Sequence, residues 1–230
     1  MPKISVISIA KKEEELDTLF KSLDKQTFKD YEIIVSTKGT IPEAWNDAIS
    51  RAKGEDLVFT ESDAFPLNND WLEELVKSAK KNTVIKGLEI RPTDLDLCNL
   101  VCDASIFREE KFDEGFQVAE DSELFARLRK KGVLIEFRNS FPVIHVQKQS
   151  WKKTILRSFK YGRYYLKIIY MHGKKNLDDV NTKNFSGNYI HPVSNRMRII
   201  IENVLFLLGL LFGAIYYLPI LLQKRITSIF

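Results

Sequence analysis

Two groups of carboxylates stand where side chains can do chemistry. Glu120 and Asp121, in FQVAEDSELFARLRKKG (116–132), open a helical pattern, while Glu61 and Asp63, with Ser62 between them in LVFTESDAFP (57–66), close a strand pattern. Carboxylates at the end of a strand can hold a divalent cation. A carboxylate at a helix start is fixed by backbone N–H groups and favoured by the positive end of the helix dipole. Together they point to an enzyme acting on a phosphorylated substrate. Acid capping explains Glu120 and Asp121 on its own as well, and capping is compatible with catalysis.

These groups need a scaffold, and the apolar spacing outlines one. Residues 4–9 form a short β-branched run, Leu16, Leu19, Phe20 and Leu23 recur at helical spacing, and residues 32–35 resume an apolar strand, making a βαβ unit. Ala44, Ala48 and Ala52 line a small-residue helix face, residues 57–60 form a third strand, and Asn69 is placed to cap a helix opening near Trp71. This alternation predicts an α/β fold with a largely parallel sheet, helices on both faces and ligands at the carboxyl ends of the strands. Residues 8–11, 36–39 and 61–63 all fall at such ends. No Gly-x-Gly-x-x-Gly fingerprint is present, which argues against an ordinary NAD-binding dehydrogenase. Beyond residue 84 the pattern is irregular. It has apolar pieces at 84–88 and 104–107, a helix from near Asp121 to Gly132, and strands at 133–137 and 143–146, the last carrying His145.

The 230 residues, 44% hydrophobic, suffice for one full α/β domain and an appendage. The net charge of +4 is local, because residues 148–175 hold nine Lys or Arg and no acid, leaving the rest of the chain at −5. That segment precedes an uncharged apolar run of 19 residues, 204–222, flanked by Arg196, Arg198, Lys224 and Arg225, so membrane lipid rather than nucleic acid is the expected partner. A crossing helix needs roughly 20 apolar residues, so the run is just long enough to span. Pro219 and two glycines weaken it, and an interfacial or re-entrant hairpin or a buried terminal helix are the competing readings. Gly209-x3-Gly213 is either a close-packing face, which would let copies of the chain pair as a homo-oligomer, or chance.

Between 151 and 169, Trp151, Ile155, Phe159, Leu166 and Ile169 share one helical face, with Lys152, Lys153, Arg157, Lys160, Arg163 and Lys167 off it. Such a basic amphipathic helix lies in a headgroup layer or packs on its own domain. Residues 171–195 read as a polar linker. The start MPKISVIS has no basic-then-apolar leader, so the chain is expected to begin in the cytoplasm and anchor by its tail. Cys98 and Cys102, spaced to suit a helical turn, are expected to be reduced core residues rather than a disulfide or a metal site.

Four segments then carry a likeness. ISVISIAKKEEELDTLFKSLDKQTFKDYEIIV (4–35, with Ser22-Leu23 and Gln26-Thr27), AWNDAISRAKGEDLVFTESD (44–63), FDEGFQVAEDSELFARLRKKG (112–132) and VIHVQKQSWKKTILRSFKYGRYY (143–165) follow one another in an order that resembles the family 2 glycosyltransferases. The resemblance covers roughly residues 4–165. It implies the A-type nucleotide-sugar glycosyltransferase fold, a mixed, mostly parallel sheet flanked by helices, to which this chain would add a C-terminal amphipathic helix and a hydrophobic membrane helix. The implied division is a catalytic domain over 1–147, an interfacial helix over 148–175, a linker over 176–198 and a membrane anchor over 199–225.

The resemblance also distributes roles. Asp121 would be the general base and Glu120 would orient it or the acceptor. Asp63 and Glu61 stand at the family's Asp-x-Asp, so with His145 they would hold Mn2+ or Mg2+ on the diphosphate of a nucleotide-sugar donor. The residues alone leave His145 as either a core histidine or a ligand. Ser8, Ala10, Lys11, Ser36, Thr37, Lys38, Asn46 and Ser62 would line the nucleotide side, with Asp103, Arg157 and Lys160 on the acceptor side. Two family phrases are altered: Pro-x-Tyr-Asn after the first strand is Ser8-Ile9-Ala10-Lys11 here, and Asp-Asp-Gly-Ser after the second is Ser36-Thr37-Lys38-Gly39. The aspartate that usually meets the nucleotide base is therefore missing.

The expected activity is inverting transfer of a sugar to a polyprenyl-linked or polyprenyl phosphate acceptor at the cytoplasmic face of the cell membrane. A non-catalytic sugar-nucleotide-binding scaffold subunit and a metal-dependent phosphohydrolase are the alternatives.

Overall fold

The computed structural model describes residues 2–90, 97–146, 151–173 and 204–215. The chain divides after Gln147 into two compact units. In the first, the strands are β1 (Ile4–Ile9), β2 (Tyr31–Ser36), β3 (Asp56–Phe59), β4 (Ala64–Pro66), β5 (Thr83–Lys86), β6 (Leu100–Asp103), β7 (Leu134–Phe137) and β8 (Val143–His145). The helices are α1 (Asp17–Asp24), α2 (Ile41–Arg51), α3 (Trp71–Ser78), α4 (Ala104–Glu109) and α5 (Glu120–Lys130). Six strands form one sheet in the order β2-β1-β3-β6-β5-β7, and β4 and β8 form a separate pair.

Within the large sheet only β6 runs against its neighbours. The carboxyl ends of β1, β2, β3, β5 and β7 therefore share one edge, as the alternating pattern predicts. Successive side chains along a strand point to opposite faces. Ile7, Leu57 and Phe59 pack with Trp45 and Ile49 of α2, Phe107 of α4 and Leu124 and Phe125 of α5. Ile4, Val6 and Val58 pack on the other face with Leu19 and Leu23 of α1 and Trp71, Leu72 and Leu75 of α3. Phe59 is the hub of the first cluster, with ring centroids 5.5 Å from Trp45 and 4.6 Å from Phe107.

Local chemistry sets the helix starts. Gly39 takes φ +56°, and Thr40 with Glu43 then forms a capping box that opens α2, with Pro42 in its first turn. The start of α3 departs from expectation: its N-cap is Asp70 rather than Asn69, and no side chain of its own caps it. The orphan Leu72 N–H instead donates to Gln26 Oε1 at 3.0 Å, while Gln26 Nε2 donates to the Asn68 carbonyl. Gln26 thus staples the end of α1 to the start of α3. Residues 104–107, read as an irregular apolar piece, belong to α4, and β8 pairs with β4 rather than joining the large sheet. Cys98 and Cys102 are free and buried, on strand and loop backbone rather than a helical turn.

The second unit contains α6 (Trp151–His172) and a helix over residues 204–215, α7. They pack at glycines: a Cβ on Gly162 would stand 2.0 Å from the Phe206 carbonyl oxygen, and one on Gly209 2.1 Å from that of Phe159. Phe159 meets Phe212 at 5.8 Å, and Tyr165 meets Phe206 at 5.5 Å. Arg163 lies over the Phe212 ring. The packed face of α6 runs through Phe159, Gly162 and Tyr165, and the expected Leu166 and Ile169 lie on the same stripe at helical spacing. Gly209 and Gly213 meet α6 of the same chain, so the expected pairing of copies through that face finds it already covered.

Among the described residues no helix is long and apolar enough to cross a membrane. Residues 216–222 of the apolar run and 176–198 of the expected linker lie outside the described residues. Gly209→Leu should cost at least ~2 kcal/mol in chemical denaturation of the second unit, because backbone stands where the new side chain would go. An unchanged denaturation midpoint would contradict this packing.

Candidate cation site

The strand pair β4–β8 puts Ala64 opposite His145, and Val146 N–H donates to the Asp63 carbonyl at 2.8 Å. Backbone pairing thereby draws the acidic strand end onto the histidine. His145 Nε2 lies 3.0 Å from Asp63 Oδ1 and 3.1 Å from Glu61 Oε2. Those distances fit hydrogen bonds, but the ring nitrogen is not aligned with a partner, so charge rather than bond geometry couples the three. On the other side of the ring, Nδ1 lies 3.0 Å from Glu89 Oε2. Burial opposes a charged ring, yet the surrounding Asp63, Cys98, Glu61 and Glu89 outweigh it and hold the imidazole far above its usual range.

Ligand atoms of Glu61, Asp63 and His145 lie within 4.8 Å of one another, close enough for a single ion to touch all three. Two hard oxygens and one imidazole nitrogen, the unaligned buried Nε2 of His145, fit a divalent cation. A second trio, Glu89, Cys98 and His145, is equally close, but the Lys86 ammonium already pairs with Glu89 there.

A polar node keeps these pieces in register. Glu89 bridges to Val143, Ile90 N–H donates to the Val143 carbonyl at 2.9 Å, and Val143 N–H donates to that of Leu88 at 3.0 Å. Asn99 is fully buried in the left-handed region at φ +56°. Its Nδ2 donates to the carbonyls of Leu88 and Phe141, and its Oδ1 accepts from Trp71 Nε1 at 2.9 Å. Gly87 has no room for a side chain, since a Cβ would stand 2.4 Å from the Phe141 ring and 2.5 Å from Asn99 Nδ2.

Glu120 and Asp121 begin α5, which turns at Gly132 into β7 and so runs back along the sheet. Its amino end is thereby directed to the edge where β3 delivers Glu61 and Asp63. Asp121 is 8% exposed, and its Oδ1 accepts from the N–H of Ser122 at 2.7 Å. Ala119, just before the pair, is buried at φ +62°, a conformation that is costly for a side chain and that gathers at functional sites. Arg127 ties α5 down, with Nε 2.9 Å from Glu123 Oε1 and Nη1 2.5 Å from Glu110 Oε2.

The remaining expected residues fall in several places. Ser8 and Ser36 are buried on neighbouring strands at the same edge, where the Ala10 N–H donates to the Ser36 carbonyl. Among the described residues the Ser8 hydroxyl has no hydrogen-bond partner. Lys11 and Thr37 are exposed and Ser62 half-buried. Lys38 pairs with Asp47 at 2.5 Å, which holds the Asp47 carboxyl below its usual range. Asn46 clamps the 112–114 loop, its Oδ1 accepting from Phe112 N–H at 2.9 Å and its Nδ2 donating to Glu114 Oε1 at 3.0 Å.

Asp103 requires a correction. It sits opposite Asp56, at the far end of β3 from Glu61, and its carboxylate caps α4 by accepting from the Ser105 N–H at 2.8 Å. The reversed direction of β6 puts it there, away from any acceptor wall at the other edge. Arg157 and Lys160 are exposed on α6 in the second unit, where Arg157 lies over the Tyr161 ring. Sequence reading missed Glu89 and Lys86. Their signal was two charges inside the apolar stretch VIKGLEI (84–90).

No protein-family model matches the chain, and no curated protein matches it by sequence. Solved structures do match, and they carry the A-type glycosyltransferase fold, which is the class of this chain's fold. The mannosyltransferase PcManGT from Pyrobaculum calidifontis, in complex with GDP-Man and Mn2+, superposes with a TM-score of 0.62 at 12% identity, over 94% of this chain and 87% of that one. TarS 1–349 from S. aureus gives 0.56 at 15% identity, over 90% and 81%. TarS in complex with UDP-GlcNAc gives 0.52 at 13% identity over the same shares.

Asn99→Ala would strip partners from the Trp71 N–H and two buried carbonyls, at about 1–3 kcal/mol for each unsatisfied group. Urea denaturation should therefore show a loss of at least ~3 kcal/mol, and a loss below ~1 kcal/mol would show the node to be dispensable.

Proposed function

We propose that the chain is an inverting glycosyltransferase that moves a sugar from a nucleoside-diphosphate donor to an acceptor hydroxyl. The convergence of Glu61, Asp63 and His145 at the strand edge toward which the start of α5 is directed carries this reading. The acceptor oxygen attacks the anomeric carbon, the bond from that carbon to the diphosphate oxygen breaks, and the acceptor proton passes to the Asp121 carboxylate. One displacement inverts the anomeric centre. Glu61, Asp63 and His145 would hold a divalent cation whose charge stabilises the departing diphosphate. The imidazole favours Mn2+ over Mg2+ in this set. Glu120 orients the acceptor or Asp121. Ser8, Ala10, Lys11, Ser36, Thr37 and Ser62 form the nucleotide side, with hydroxyls and backbone replacing the missing base-contacting aspartate.

The second unit supports a membrane-surface setting. Leu207, Leu208, Leu211 and Ile215 of α7 are exposed, between 49% and 76%, on a hairpin whose other helix is basic. Such a surface suits the interfacial layer of an anionic leaflet. The acceptor class in this reading is polyprenyl-linked and met at the cytoplasmic face: a polyprenyl-linked glycan offers the hydroxyl whose proton Asp121 would take, whereas polyprenyl phosphate would attack through an oxygen that is already anionic and needs no base. Residues 1–147 are then the catalytic domain, 148–175 the interfacial helix, 176–198 the linker and 199–225 the anchor.

Lys38 and Asn46, two expected nucleotide contacts, are engaged by Asp47 and the 112–114 loop, an arrangement that a binding scaffold would tolerate. Incubating a panel of nucleotide sugars with Mn2+, with and without polyprenyl phosphate, separates the readings. Acceptor-dependent glycoside supports the transferase, binding without turnover the scaffold, and phosphate release without glycoside a phosphohydrolase. With a polyprenyl-linked glycan as the hydroxyl acceptor, Asp121→Asn should keep nucleotide affinity while losing transfer by at least ~100-fold. Transfer at the wild-type rate would refute Asp121 as the base.

A further inference from the structure

Glu89 belongs to no acidic motif, yet it touches the imidazole at the centre of the site. Among the described residues its two oxygens face two partners. Oε2 lies 3.0 Å from His145 Nδ1, and Oε1 takes the ammonium of Lys86, which also donates to the Cys98 carbonyl. The side chains of Lys86, Glu89 and His145 are 2%, 1% and 0% exposed. The bridge of Glu89 to Val143 fixes the approach of acid to ring through the backbone. A buried carboxylate facing the inner ring nitrogen is the arrangement by which outer-shell acids set the tautomer and angle of a metal-ligating imidazole. The Lys86 charge offsets that of Glu89, so this acid adds no net negative charge to the Glu61 and Asp63 pair.

We propose that Glu89, backed by Lys86, is the positioning residue of the cation site: it holds the Nδ1 proton of His145 and so presents Nε2 to the ion that Glu61 and Asp63 would share. This rests on the cation reading given under the proposed function.

Mn2+ binding to the full chain, followed by the electron paramagnetic resonance signal of the free ion, tests the idea in a double-mutant cycle. Glu89→Gln should weaken Mn2+ binding by about 10–100-fold. Glu89→Gln combined with His145→Gln should bind no more weakly than His145→Gln alone, because the acid acts through the ring. Additive losses would overturn the proposal while leaving the cation reading intact. A wild-type chain that does not bind Mn2+ would overturn the cation reading itself.

Nitrogen-15 spectra of the metal-free protein provide a readout that does not depend on the ion. The Nδ1-bound proton of His145, identified by its loss in His145→Gln, should lie downfield and move upfield in Glu89→Gln, and ring signals that do not move would also overturn the proposal. Should Glu89→Gln fail to fold because Lys86 loses its counter-charge, Lys86→Met with Glu89→Gln removes both charges and carries the same expectations.

Discussion

Like charge crowded around one buried ring is the constraint on which the site depends. Glu61, Asp63 and Glu89 set three carboxylates against His145, and among the described residues the Lys86 ammonium pairs with one of them. Side chains that repel one another do not gather unaided, so the backbone must bring them together. This accounts for the lacing around the site: the β4–β8 pair, the bridge at Glu89, the Asn99 node and the side-chain-free Gly87. The stability of the sheet, with its Phe59 and Trp71 clusters, is what supports that concentration of charge.

Much of this was legible because it is local. The strands at 4–9 and 32–35, the helix after Asp121 and the placement of Glu61 and Asp63 at a strand end follow from periodicities of two and 3.6 residues and from turn chemistry. What was not legible depends on partners distant in the chain. Nothing near Glu89 reveals that it will face His145, 56 residues away. Asp103 read as an acceptor-side acid because the reversal of β6 is a property of the sheet and not of LVCD. Asn46 carries a family-like position, but its amide is engaged by Phe112 and Glu114, 66 and 68 residues on. Capping of α3 by Gln26 in place of Asn69 is a similar case of a local signal outbid by a tertiary one.

The second unit shows how one feature can serve different ends. The small-residue spacing of Gly209 and Gly213 reads equally as chance or as a seam between copies of the chain, and the structure uses it as a seam within one. Carbonyls of α6 and α7 approach where side chains are missing, and aromatic rings close the flanks. Burying that face turns the apolar residues on the opposite side of α7 outward, so close packing inside the hairpin and a greasy exterior arise together.

The reversed strand β6 has one more consequence. Because β5 ends and β6 begins at the same edge, the chain between Lys86 and Leu100 departs from and returns to the rim that bears His145. Glu89, three residues beyond the end of β5, is thereby delivered to that rim, where its carboxylate meets the His145 ring. One reversed strand thus sorts the acids of the sheet, withdrawing Asp103 to the far edge while leaving Glu89 at the near one.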